Sequence, residues 1–367
     1  MARLVNISDV CNEIFAGGDA PKNNMFVEKT DKFSIPIYSN GEAENGLYGY
    51  TNFARVTKPS VTISARGTIG FAAIRNEPFV PIVRLITLTP NLALIDIRYL
   101  YYAIQNYHFD GSGTSIPQLT VPMLKQYSFP LPEMEKQIYI STVLDKVNSL
   151  ISLRKQQLAK LDELVKARFV EMFGGIEETV PLSHYISALL AGKSLAGEEE
   201  CANKVLKTGA ATYDEFDPSQ VKNLPADYIP QTDHLLRTGD VIISRMNTAE
   251  LVGAAAYVWE APINTYLPDR LWRAELKNNV CPIFVWQSLI QATTKESIRK
   301  IASGTSGSMK NISKPGLLRI HVKKVGFDIQ EKFSDFVVQV HRQKLTIQQS
   351  LDKLDVLKTA LMQEYLG

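Results

Sequence analysis

The chain has 367 residues, 45% of them hydrophobic and 21% charged, with a formal net charge of +2 at pH 7. That length predicts two or three domains, each able to bury its own core, and the composition excludes a disordered chain. The charge balance alone points to no partner. The most apolar run, Phe79–Leu88, is interrupted by Arg84 and is too short to span a bilayer, so no membrane association is expected. Cys11, Cys201 and Cys281 are odd in number and far apart, with no CxxC pair. They predict buried thiols in a reducing cytoplasm rather than a disulfide framework or a zinc site. The N-terminus lacks a charged region followed by an apolar core, so no secretion signal is expected.

Residues 1–131 read as a strand-rich domain. Val61-Thr62-Ile63-Ser64 alternates, Arg66-Gly67-Thr68-Ile69-Gly70 turns, and Phe71–Ile74 and Val80–Leu88 follow as apolar strands. Ile97–Gln105 is predicted to be a helix, and Gly111-Ser112-Gly113-Thr114-Ser115 a flexible loop. Tyr38-Ser39-Asn40-Gly41 and Asn45-Gly46-Leu47-Tyr48 read as a polar, aromatic loop. An ordinary pair of turns is the alternative.

Residues 132–175 predict a long helix. Leu144, Val147, Ile151, Leu158, Leu161, Val165 and Met172 follow the 3-4 spacing of a coiled-coil seam. Pro132, Glu133 and Glu135 suit its start, and Gly174-Gly175 suits its stop.

Residues 176–325 repeat the first domain loosely. Val180-x-Leu182-Ser183 resembles Val5-x-Ile7-Ser8, Ala191-Gly192 resembles Ala16-Gly17, and Val241–Arg245 resembles Val61–Arg66. Gly304-Thr305-Ser306-Gly307-Ser308 answers the loop at Gly111. Residues 326–367 predict a second long helix, with Val337, Val340, Ile347, Leu351, Leu354 and Leu361 on its seam.

The helical part of the repeat is strict. Shifted by 193 positions, Thr114–Gly174 lies over Gly307–Gly367 without a gap, and fifteen positions are identical. Pro122 falls on Pro315, Gln137 on Gln330, Leu158 on Leu351 and Asp162 on Asp355. This is an internal duplication. The order is therefore domain, helix, domain, helix, and the second helix must run back antiparallel to pair its seam with the first. About 40 residues at 1.5 Å each give a spacer of roughly 60 Å. The expected fold is α+β: two similar mixed α/β domains separated by two long antiparallel coiled-coil helices with pseudo-two-fold symmetry. Two separated heads suit a two-fold ligand such as DNA, whose half-sites one turn apart lie about 34–36 Å centre to centre.

The clearest charge signal is Lys295–Lys324, where eight cations, among them Lys310 and Lys314, face Glu296 alone. Ser306, Ser308 and Asn311 are interleaved. Cations with small donors suit phosphate contacts, and a solvated face is the alternative. Arg66 follows a strand, as does Arg245 with Asn247. Arginine can pair with guanine and asparagine with adenine. The candidate DNA contacts are therefore Tyr38, Ser39, Asn40, Tyr48, Lys58, Ser64, Arg66, Thr68, Ser112, Thr114 and Ser115 in the first half. In the second half they are Arg245, Asn247, Ser306, Ser308, Lys310, Asn311 and Lys314.

No catalytic motif emerges. Gly192-Lys193-Ser194 resembles a phosphate loop, but Ser187 stands where that motif needs glycine. Asp269, Glu275 and Lys277 resemble a nuclease metal site, yet Arg270–Leu276 also reads as a plain strand. The five histidines show no ligand spacing, and no Pro-Pro exists for an adenine-methylating motif.

The chain resembles the specificity subunit of type I restriction–modification systems. The resemblance rests on Ile35-Pro36-Ile37-Tyr38-Ser39-Asn40-Gly41, Ser64-Ala65-Arg66-Gly67-Thr68-Ile69-Gly70, Gly111–Ser115, and Phe129-Pro130-Leu131-Pro132 leading through Glu135-Lys136-Gln137 to Ile140. It covers essentially the full length. Glu133 departs from the family's usual second proline, and Val322–Gly326 replaces the proline-rich entry in the second half. The resemblance implies target recognition domains at 1–131 and 176–325 and spacer helices at 132–175 and 326–367. Each recognition domain would read one half of a split, asymmetric sequence in double-stranded DNA. It implies two methyltransferase subunits and two motor-nuclease subunits as partners, with S-adenosylmethionine, ATP and Mg on those partners. No cofactor, metal or catalytic residue is expected on this chain. Two other readings are a coiled-coil scaffold with protein-binding end domains, and a nuclease using Asp269, Glu275 and Lys277.

Overall fold

The computed structural model describes residues 3–107, 118–304 and 309–367. The chain forms two compact units, one of residues 1–157 with 347–367 and the other of residues 158–346.

The first unit contains β1 (Arg3–Asn6), α1 (Ile7–Val10), β2 (Cys11–Ala16), β3 (Ile35–Tyr38), β4 (Leu47–Thr51), β5 (Ser60–Ser64), β6 (Ala72–Arg75), β7 (Val80–Pro81) and β8 (Leu85–Pro90). Then come α2 (Ile97–Gln105), α3 (Val121–Lys125), β9 (Ser128–Leu131) and the start of α4 (Met134–Phe173). Among the described residues, β2-β8-β5-β6 form an antiparallel sheet, and β4-β3-β7 a smaller one in which β3 and β7 run parallel. β1 pairs with β9 and brings the entry to α4 beside the first strand. The sheet's apolar face, with Val61, Ile63, Ile86 and Leu88, packs on Tyr99, Leu100 and Ala103 of α2. The observed bounds of α2 coincide with the predicted ones. The expected strand Val80–Leu88 is instead broken between β7 and β8, because Arg84 adopts a left-handed turn conformation (φ 70°).

The second unit has the same plan. It holds the end of α4, β10 (Thr179–Pro181), β11 (Ile186–Ala191), β12 (Lys204–Leu206), β13 (Val221–Asn223), β14 (Val241–Ser244), β15 (Met246–Asn247), β16 (Ala255–Tyr257), β17 (Thr265–Tyr266) and β18 (Leu271–Leu276). There follow α5 (Pro282–Leu289), α6 (Ala292–Ile301), β19 (Lys310–Asn311), α7 (Lys314–Leu318), β20 (His321–Lys323) and the start of α8 (Phe327–Leu366). The sheets β11-β18-β14-β16 and β13-β12-β17 reproduce those of the first unit, and β10 pairs with β20 as β1 does with β9.

Each unit owns the half-helices packed against it. In the first, Ile140 and Leu144 of α4 share a core with Met362 and Leu366 of α8. In the second, Val165, Phe169 and Phe173 share one with Phe333, Val337 and Val340. The start of one helix thus meets the end of the other, so the helices run antiparallel. Of the thirteen expected seam residues, Leu144, Val147, Ile151, Val165, Val337, Val340 and Leu351 are buried. Leu158, Leu161, Met172, Ile347, Leu354 and Leu361 are half-buried. The polar interruption is an ion pair, with Lys344 Nζ 2.6 Å from Asp162 Oδ1. Burial pulls the Lys344 ammonium down, but Asp162 and Glu215 together outweigh that and leave it raised.

The duplicated glutamines join head to helix. Gln137 Oε1 accepts the N–H of Asp96, which caps α2, while Nε2 donates to the carbonyls of Leu94 and Pro132. Gln330 Oε1 accepts the N–H of Cys281, at the cap of α5, and Nε2 donates to Val325. The duplicated prolines Pro122 and Pro315 open α3 and α7, whose caps are Thr120 and Ser313.

Candidate nucleic-acid interface

In the first unit the loop residues gather at the end of β5. Ser64 is fully buried, and its Oγ accepts the N–H of Gly41 at 3.1 Å. Asn40 Nδ2 donates to the carbonyl of Arg66 at 3.0 Å. Leu119 N–H donates to Ala65, so the chain re-enters beside this turn. Arg66 is half-buried, while Thr68 and Tyr48 are exposed. A buried arginine sets the loop from beneath. Arg75 stacks on the Tyr38 ring at 3.6 Å, donates through Nη2 to Asn45 O at 2.5 Å, and through Nε to Thr62 Oγ1 at 3.1 Å. Preorganised backbone of this kind lets a loop present side chains without an ordering cost on binding.

This geometry corrects several expectations. Tyr38 is 8% exposed and its hydroxyl donates to Glu77 Oε1 at 2.9 Å, so it is a core residue and not part of a reading loop. Burial first, and the Glu77 carboxylate next, push its phenol up. Ser64 and Asn40 hold the loop from inside, and Ser39 Oγ donates to the Asn40 carbonyl. Lys58 is exposed but precedes β5, at the opposite end of the strand from Arg66. Ser112, Thr114 and Ser115 lie outside the described residues.

In the second unit the corresponding place is built by β15 and β19, with Met246 opposite Asn311 and Asn247 opposite Lys310. Arg245 Nε donates to Asn311 Oδ1 at 3.4 Å, and Lys310 Nζ to the carbonyl of Gly304 at 3.1 Å. Asn247 Oδ1 accepts the N–H of Thr248. Exposed Lys314 stands 6.0 Å over the Trp272 ring. Ser306 and Ser308 lie outside the described residues.

The run Lys295–Lys324 does not form one basic face. It is spread over α6, β19, α7 and β20, and several cations are used internally. Lys295 pairs with Asp214, Lys300 with Glu296 and Lys324 with Glu178, while Arg299 and Lys323 donate to the carbonyls of Glu250 and Ile176. The pairing of Arg66 with Arg245 also shifts by one. Ala65 N–H donates to Arg84 and its carbonyl accepts from Leu119; Arg245 N–H donates to Arg270 and its carbonyl accepts from Ile312. Arg245 therefore stands where the first unit has buried Ala65.

The same hydrogen bonds bring out two arginines that are absent from the sequence candidates. Arg84 and Arg270 are exposed and occupy equivalent turns just before β8 and β18. The shared Arg-Leu step, Arg84-Leu85 and Arg270-Leu271, was the available signal. It is hidden because Arg84 reads as a blemish in an apolar run.

Two residues of the nuclease reading, Asp269 and Glu275, are engaged by other side chains. Among the described residues, no group of three or more His, Cys, Asp or Glu could hold a metal ion. Asp269 accepts from Ser194 Oγ, and Glu275 pairs with Arg273 at 2.7 Å. Gly192 is required by packing, since a Cβ there would lie 1.9 Å from the Leu267 carbonyl, as one on Gly17 would lie 2.2 Å from that of Ile82. Among the described residues, no helix is long and apolar enough to cross a membrane.

Comparison with known proteins places this architecture. A family model described as the type I restriction modification DNA specificity domain matches residues 3–163. The putative type I specificity subunit S.MpnORF89P of Mycoplasma pneumoniae is 32% identical over 167 residues, 42% of this chain and 49% of that protein. The C-terminus of another from the same organism, S.MpnORF289P, is 37% identical over 120 residues, 30% of this chain and 82% of that protein. The chain spans about half the length of S.MpnORF89P and of S.MpnORF507P, 49% and 47% respectively. The crystal structure of a type I restriction–modification S subunit from M. genitalium matches with a TM-score of 0.63 at 16% identity, covering 100% of this chain and 96% of that one. That likeness extends the shared fold over both units. The chain belongs to the family of type I restriction–modification specificity subunits.

Proposed function

We propose that this chain is the DNA-reading subunit of a type I restriction–modification complex, with one half of a split, asymmetric target read by each unit. The observation that carries the reading is the shared backbone frame at the ends of β5 and β14 with different side chains upon it. Ala65 is answered by Arg245 and Arg66 by Met246, while Arg84 and Arg270 are common to both. Equal frames with unequal side chains suit two readers of unequal half-sites. The chain supplies specificity, and the chemistry lies on partners in the cytoplasm. Those partners are two methyltransferase subunits using S-adenosylmethionine and two motor-nuclease subunits using ATP and Mg.

The docking part of the reading is supported by outward apolar residues of the helices. Leu164 and Leu357 are equivalent in the repeat, lie one in each unit, and are 46% and 45% exposed. Tyr139, Leu150 and Leu153 extend such a surface on α4 in the first unit. A surface presented twice suits two copies of one partner.

The test is a methylation map. The chain is co-expressed with its cognate methyltransferase subunit in a host lacking both, and N6-methyladenine is mapped. A single split motif that disappears without this chain is the expected result. Association of the two proteins without any motif would instead favour the scaffold reading.

A further inference from the structure

The two units differ at one edge of their four-stranded sheets. In the second unit the outer strand is β16, which among the described residues pairs only with β14. Alternate residues of an antiparallel edge strand direct their N–H and C=O away from the neighbour. Ala255 is such a residue, and side chains close it. Its N–H donates to Asp214 Oδ1 at 2.9 Å, and its carbonyl accepts Trp286 Nε1–H at 3.0 Å. Asp214 holds a left-handed backbone conformation (φ 64°), and Lys295 Nζ lies 2.6 Å from the same carboxylate oxygen. Covering an exposed edge in this way prevents unwanted strand addition.

In the first unit the equivalent strand is β6. Ala72 stands opposite Ile63 as Ala255 stands opposite Ile243. Tyr101 takes the helix position of Trp286, but its hydroxyl accepts from Gln105 Nε2 at 2.7 Å. Among the described residues, no side chain caps the outward groups of Ala72 and Ile74. An open groove of about 550 Å³ runs along this edge instead. Phe71 and Tyr101 line it beside the strand, and Asn148, Ser149 and Ser152 of α4 line it across the gap.

The lining offers no free cation to a phosphate. Arg75 is committed to Tyr38, Thr62 and Asn45, and Asp145 to Arg98 at 2.9 Å and Tyr102 at 2.6 Å. What remains is a row of backbone donors and acceptors, an aromatic floor and short polar side chains. Those features fit an extended polypeptide. Four residues of strand span about 13 Å. The far wall is the same stretch of α4 that carries exposed Leu150 and Leu153, so the groove is continuous with the docking surface proposed above.

We propose that an extended segment of the methyltransferase subunit adds to β6 as a further strand in this groove. The inference rests on the docking reading. Because the matching edge of the second unit is closed at Ala255, only one of two docked copies delivers its strand, and the copies are inequivalent.

The test is hydrogen exchange of the full chain, alone and with the cognate methyltransferase subunit, beside binding by a Ser149→Trp variant that fills the groove. Assembly is expected to slow exchange at Ala72 and Ile74 at least tenfold and to leave Ala255 unchanged. Ser149→Trp is expected to weaken binding at least tenfold without altering the free chain's thermal transition. Assembly with no protection at residues 71–75, and full affinity in the variant, overturns the strand while the docking reading survives. Failure of the two proteins to associate overturns both. Protection that grows with concentration of the chain alone, with a dimer mass, assigns the edge to a second copy and overturns the partner.

Discussion

Asp96 in the first unit and Cys281 in the second stand at the same place, the cap of the helix that lies on the sheet, and each gives its N–H to a duplicated glutamine of the spacer helix. Asp96 also accepts from the N–H groups of Arg98 and Tyr99 and from Ser141 Oγ. Cys281 makes no side-chain cap, and Pro282 at the first helical position removes one of the donors a cap would serve. The packing behind them differs too. Tyr99, Ile140 and Leu366 in the first unit correspond to Phe284, Phe333 and Phe173 in the second. What is held constant is the hydrogen bond that fixes the head on the helix. The capping and filling vary around it, as expected of a duplicated joint whose geometry matters more than its composition.

The largest effect should come from the aromatic knot. Phe333→Ala removes a fully buried ring that packs edge-on against Phe169 and Phe173, and should cost the second unit about 3–5 kcal/mol. Hydrogen exchange read over peptides of each unit checks this; equal loss in both units would break the comparison. Next come the glutamines. Gln137→Ala and Gln330→Ala each strand a helix-terminal N–H, part-buried at Asp96 and buried at Cys281, and each should cost about 1–3 kcal/mol in its own unit by the same measurement. The caps should then diverge. Asp96→Ala should lose about 1–2 kcal/mol, whereas Cys281→Ser should gain a few tenths to about 1 kcal/mol by supplying a missing acceptor.

The smallest effect is set by pH. His341 stacks on Trp259 with ring centroids 3.5 Å apart and faces Lys344 and Glu215. Burial first and the Lys344 charge second hold its imidazole below its ordinary value of 6.5, against the opposite pull of Glu215. A folded value below the unfolded one means the stability is present above the unfolded value and is lost as pH falls through the folded one. The second unit should therefore weaken between about pH 7 and pH 5. His341→Gln should flatten that slope, as read by exchange at several pH values.

The architecture was legible in the sequence because it rests on repeats. The ungapped match of Thr114–Gly174 to Gly307–Gly367 and the seam leucines predict duplicated heads and paired helices, and α2 emerges from Ile97–Gln105 alone. The interface was only partly legible. Tyr38 and Ser64 look like loop residues until the pairing of β3 with β7 and the bond from Gly41 bury them. The eight cations of Lys295–Lys324 look like one face until α6, β19, α7 and β20 separate them. Arg245 matches Arg66 by eye, yet the ladder places it on Ala65. These are consequences of long-range register, which local pattern does not carry.

The central claim is that each unit reads its own half-site, and Arg84 and Arg270 offer the most direct test. Arg84→Gly removes the side chain and suits the left-handed backbone there, and Arg270→Ala makes the matching change in the second unit. The measurement is the methylation map of each variant in complex with the cognate methyltransferase subunit. The account predicts that each variant relaxes one half of the split motif, a different half in each case, and leaves the other half intact. A variant that alters both halves together, or two variants that relax the same half, would contradict it.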